Sequence, residues 1–100
     1  RDEALGELAR AAALAPAEAR YGLAYGLALL DRGRTAAALA ALRQSLVHDP
    51  ADPHLLYTLA TLSRDAGDRT AALEYARRLV AADPANPNAR GLLAQLEGRP

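Results

Sequence analysis

Apolar residues recur at helical spacing along the whole chain. Ala4, Leu5, Leu8, Ala11 and Ala12 form an i, i+1, i+4, i+7, i+8 stripe. Ala38, Leu39, Leu42 and Leu46 form it again, as do Ala72, Leu73, Ala76, Leu79 and Val80. The breaks between stripes carry helix punctuation. Asp52-Pro53 and Asn86-Pro87 each pair a side-chain acceptor with a proline whose missing N–H costs nothing in a first turn. Gly33 and Gly67 supply left-handed helix ends, and Thr35 and Thr70 lie where the next helices begin. Asp49-Pro50 and Asp83-Pro84 close helices, because proline cannot continue the ladder. The pattern predicts six helices, over 2–14, 19–31, 36–48, 53–65, 70–82 and 87–97.

The punctuation is periodic. Pro16, Pro50 and Pro84 stand 34 residues apart, as do Gly33 and Gly67. A fixed period of this size marks a repeat architecture. The frame divides one domain, 1–100, into a half-repeat at 1–18, full repeats at 19–52 and 53–86, and a terminal helix at 87–100. Short connections make sequential helices antiparallel. The expected fold is all-α, a right-handed α-solenoid of antiparallel helix pairs. Small residues return at matching places: Ala4, Ala38 and Ala72 in one helix type, Gly26, Ala60 and Ala94 in the other. They predict close helix–helix approach.

Composition supports helix and narrows function. Ala and Leu supply most of the 51% hydrophobic share, with four Tyr and no Phe, Trp, Met or Cys. All twelve basic residues are Arg, and absent Lys, Ile and Phe with abundant Ala, Arg and Gly suggest a GC-rich bacterial genome; the sequence does not choose between cytoplasm and periplasm. Twelve acidic residues cancel them, leaving no electrostatic footprint for nucleic acid or anionic lipid. No apolar run is long enough to span a membrane. The chain opens at Arg1 in mid-pattern, so it is expected to be a fragment of a longer protein.

These spacings resemble the tetratricopeptide repeat, a 34-residue helix–turn–helix unit, over the whole chain. The matching residues are Leu59, Ala60, Gly67-Asp68, Ala72, Ala76 and Asp83-Pro84 in the fuller repeat. Tyr25, Gly26, Gly33, Ala38, Leu42 and Asp49-Pro50 match in the repeat before it. The terminal halves contribute Asp2-Glu3-Ala4, Leu8, Ala11 and Pro16, then Leu93-Ala94. The family's first-helix aromatic is Gly22 in one repeat and Leu56 in the other; its second-helix aromatic is Leu42 and Ala76. The resemblance implies a protein–protein interaction scaffold whose first helices line a concave groove. A second likeness, over Ala19 to Arg34 and His54 to Asp68, is to repeat tails of bacterial multihaem c-type cytochromes, although no haem-attachment motif is present.

The core positions of the first helices are Gly22, Tyr25, Gly26 and Leu29, then Leu56, Leu59, Ala60 and Ser63. The opposite face carries Arg20, Leu23, Leu27 and Leu30, then His54, Tyr57, Thr61 and Arg64, then Asn88 and Gln95. Two readings of the Leu23/Leu27/Leu30 stripe stay open. It is a groove wall for an extended segment or an amphipathic helix, or it packs on a missing helix or an upstream domain. Arg20 and Arg64 could meet a partner's backbone or carboxylates, or be solvated charges. Family co-chaperones clamp a terminal carboxylate with Lys, Asn and Arg. Here Leu23, Leu27, Tyr57, Thr58 and Leu92 fill that face, which argues against such a clamp.

His48 and His54 flank a turn with Asp49 and Asp52, but no third histidine completes a metal site. Ser45 and Ser63 are the only serines, and no nucleophile–base set or phosphate loop emerges. No cofactor is expected. The expected function is non-catalytic binding of a protein or peptide through a concave, partly apolar groove. The alternative is intramolecular packing on an upstream catalytic or redox domain, or self-association through open repeat ends.

Overall fold

The computed structural model describes residues 2–98, and the backbone alone of Asp2. The outer limits expected for the terminal half-repeats, at Arg1 and Pro100, lie outside these residues. The described residues are all-α. Six helices follow one another: α1 (Asp2–Leu14), α2 (Ala19–Asp31), α3 (Thr35–His48), α4 (Pro53–Asp65), α5 (Arg69–Ala82) and α6 (Pro87–Leu96). The chain divides into two compact units, one ending at Pro50 and the other beginning at Ala51.

The helix ends follow from local chemistry. Asp52 Oδ1 accepts the Leu55 N–H at 2.9 Å, and Asn86 Oδ1 accepts those of Asn88 and Ala89 at 2.9 and 3.3 Å. Pro53 and Pro87 occupy the first turn behind these caps. Gly33 and Gly67 have φ of +74° and +85°, a region costly for any residue with a Cβ. At each, two carbonyls of the ending helix find partners. The N–H of Gly33 meets Leu30 and that of Arg34 meets Leu29; the N–H of Gly67 meets Arg64 and that of Asp68 meets Ser63. This paired closure is the Schellman motif.

Asp68 then works in both directions. Its N–H closes α4 while its Oδ1 caps α5 by accepting from Ala71 at 3.1 Å. This double use starts α5 at Arg69, one residue before the expected start. Helix α3 also starts one residue early, at Thr35, with no side-chain cap on it.

In the first unit α2 packs on both α1 and α3, around Leu5, Leu29 and Ala38. Leu42 beside them is fully buried. In the second unit α5 packs on α4 and α6, around Ala60, Ala72, Ala76, Leu92 and Leu96. The expected small contacts are buried at Gly26, Ala38, Ala60 and Ala72. Ala94 is only half-buried, and Ala4 is exposed, because α1 packs on α2 through Leu5 rather than through Ala4.

Size is exchanged between the two units at matched positions. Gly26 faces Leu42 in the first unit, and a Cβ built on Gly26 would lie 2.6 Å from Leu42 Cδ2. In the second unit the same places hold Ala60 and Ala76, clustered together. Gly22 lies directly against the Ser45 side chain. Thirty-four residues on, these places hold Leu56 and Leu79, both buried. Only the first pair trades volume, as close packing requires where a side chain is lost on one helix; at the second pair both places are smaller in the first unit.

Candidate functional site

The face of the first-type helices opposite the core is carried by α2, α4 and α6. In the first unit, Arg20 is exposed at the start of α2. Its Nε lies 3.5 Å from Glu18 Oε1, and its guanidinium sits over the Tyr21 ring at 5.0 Å from the centroid. Both contacts are solvent-exposed, so they bias the Arg20 side chain only weakly. Leu23 is half-buried, and Leu27 is 45% exposed. Leu30 is half-buried and packs against the Leu5, Leu29 and Ala38 cluster. The stripe therefore grades from an open side chain at Leu27 into core at Leu30, because Leu30 lies next to core residue Leu29.

In the second unit, His54 is exposed in the first turn of α4, and Tyr57 is 45% exposed one turn on. Thr61 is half-buried, with its hydroxyl donating to the carbonyls of Tyr57 and Thr58, each at 3.1 Å. This back-bonding spends the hydroxyl proton inside the helix. Arg64 donates from Nε to Asp65 Oδ1 at 3.0 Å and from Nη1 to Gln95 Oε1 at 3.1 Å. The second bond ties α4 to α6 and brings two of the expected residues together. Asn88 is exposed at the start of α6. Leu92, by contrast, is only 7% exposed and belongs to the core of this unit, so it does not furnish that face.

Two sorts of position escaped sequence reasoning. Leu55 is fully buried although it immediately precedes the core residue Leu56. Ser45 is buried, and its hydroxyl has no hydrogen-bond partner. Its signal was the glycine facing it, Gly22, which no stripe count weighs. Ser63, expected to face inward, is buried and likewise unpartnered.

The first unit offers apolar area at Leu27, and the second an amphipathic ring at Tyr57 and an arginine, Arg64, held by Asp65 and Gln95. Among the described residues, no group of three His, Cys, Asp or Glu side chains could hold a metal ion, and no helix is long and apolar enough to cross a membrane.

A scan against protein families matches the tetratricopeptide repeat over residues 29–96. No curated protein matches the chain. Tetratricopeptide repeats generally mediate protein–protein interaction and are generally non-catalytic. The match covers more than half of the chain and takes in α3 to α6 with both glycine turns, both Asp-Pro closures and both proline-headed helices, so the chain belongs to the tetratricopeptide repeat family.

Proposed function

We propose that the chain binds a protein segment through the core-averted face of its first-type helices. Arg20, Leu23 and Leu27 serve in one unit, and His54, Tyr57, Arg64, Asn88 and Gln95 in the other. Leu30 and Thr61 act mainly as supports, the first packed into core and the second bonded to its own helix. The observation that carries this reading is the pair Leu27 and Tyr57. Each leaves nearly half of a large side chain in water on a helix that buries its other side, at 45% exposure in both cases.

Single exposed apolar residues need no explanation, but each unit leaves one such large side chain on this face, and the tyrosine of the second unit is an anchor type enriched at interfaces. The complementary partner is an extended or helical segment with spaced apolar residues and a carboxylate for Arg64. The protein side is prefolded, so ordering cost falls on the partner segment alone.

The test is selection of a displayed peptide library on the wild-type chain, followed by affinity measurement on Leu27→Arg and Tyr57→Ala. Selected peptides should carry apolar anchors, and each substitution should weaken them at least tenfold with the helical circular dichroism unchanged. Peptides that bind both folded variants as tightly as wild type would defeat the proposal.

A further inference from the structure

The second unit holds a cleft of about 230 Å³ where the end of α4, the start of α5 and the end of α6 meet. Arg64, Gly67, Arg69, Gln95 and Leu96 line it, and Leu96 roots it in the core of this unit. The polar side chains of the lining present donors. Gln95 spends its carbonyl oxygen, Oε1, on Arg64 Nη1, so its amide nitrogen is the group left to bond. Arg64 spends Nε on Asp65 and Nη1 on Gln95, which leaves the donors of Nη2. Arg69 has no ion-pair or hydrogen-bond partner for its side chain among the described residues. The carboxylates nearby are engaged elsewhere, Asp65 with Arg64 and Asp68 Oδ1 with the Ala71 N–H. Thirty-four residues earlier, the places of Arg64 and Arg69 hold Leu30 and Thr35, so the repeat frame calls for neither charge.

We infer that this cleft binds one phosphate group, carried by a free ester or by a phosphorylated side chain. Donor groups on three helices, Arg64, Arg69 and Gln95, suit the three terminal oxygens of a phosphate monoester. A carboxylate has two oxygens and is satisfied by one guanidinium, so it would leave the rest of the cleft unused. Two arginines also match the phosphate charge of roughly −1.5 to −2 at neutral pH. The chain carries no net charge, so attraction is local to the cleft and no long-range field assists it. Arg64 and Gln95 also lie on the proposed peptide-binding face, but this inference stands on the cleft alone and is tested without a peptide.

Two probes separate the sources. Inorganic phosphate and N-acetyl-O-phosphoserine amide are titrated separately into the full chain at fixed pH and ionic strength, with amide shifts followed by NMR and acetate as the comparison. Saturable binding of at least one phosphate probe is expected, with shifts confined to 64–70 and 95–96 and weaker binding of acetate. Tighter binding of the phosphoserine amide identifies a protein side chain; binding of inorganic phosphate as tight or tighter identifies a free ester. Arg69→Gln should weaken binding by about fivefold or more with the helical circular dichroism unchanged, because Arg69 holds no contact in the fold. Arg69→Lys keeps the charge and should recover part of that loss. Shifts that grow linearly with phosphate, wild-type affinity in the folded Arg69→Gln chain, or acetate bound as tightly as phosphate would overturn the assignment.

Discussion

Replacing glycine by alanine inside a helix ordinarily stabilises it, by about 1 kcal/mol, because glycine loses more backbone freedom on folding. At Gly26 the sign should reverse. A Cβ there would lie 2.6 Å from Leu42 Cδ2 and 2.7 Å from Cγ. Cγ is the root of that side chain's branch, so it cannot swing away without turning the whole leucine. Leu42 is 0% exposed, which leaves nowhere for it to turn. Overpacking of this kind costs about 1–3 kcal/mol, so Gly26→Ala should be neutral to destabilising by about 2 kcal/mol.

Gly6→Ala is the control in the same unit. Gly6 lies within α1, and its nearest outside atom is Arg10 Nη1 at 3.8 Å, an ordinary contact. It should gain about 1 kcal/mol, a rise in Tm of about 4–8 °C for a domain of this size. The assay is urea and thermal unfolding followed by circular dichroism on both variants. The double variant Gly26→Ala/Leu42→Ala copies the Ala60/Ala76 pair. It should be less destabilised than the sum of its single variants by about 1–3 kcal/mol, the steric term now removed. If Gly26→Ala gains as much as Gly6→Ala, the contact is not tight and the size-exchange account of the two units fails.

Ala38→Leu and Ala72→Leu, at positions with no exposed surface, should each lose about 1–3 kcal/mol, and an unchanged melting midpoint in both would contradict the packing. Asp68→Ala removes the α5 cap and should cost about 0.5–2 kcal/mol, while Thr35→Ala, at a helix start without a side-chain cap, should cost distinctly less; equal losses in urea unfolding would refute the capping roles. Gly67→Ala meets no atom within 4 Å but must hold φ near +85°, so it should destabilise by about 1–2 kcal/mol through backbone strain alone. A Gly67→Ala chain that melts at or above wild type would show that the turn can relax.

All six helices were legible in advance, to within one residue at either end. Asp52, Asn86, Gly33 and Gly67 announce themselves because capping and left-handed turns are settled within four or five residues of chain, where an orphan N–H or carbonyl must find its partner. The 34-residue frame also required no coordinates, since recurrence of these local signals is itself written in the order of residues.

Contact size was another matter. That Gly22 serves Ser45, that Gly26 serves Leu42, and that Leu30 and Leu92 join cores depend on side chains brought together from separate helices. Helical periodicity assigns a residue to a face but carries no information about the depth of the neighbour it meets. Ala4 reads like Ala38 and Ala72 in the repeat frame, yet it is exposed, because burial belongs to a pair of surfaces and not to a position. The cleft of the second unit has the same origin. Arg64, Arg69 and Gln95 are ordinary residues along the chain, and only the packing of three helices gathers them around one space.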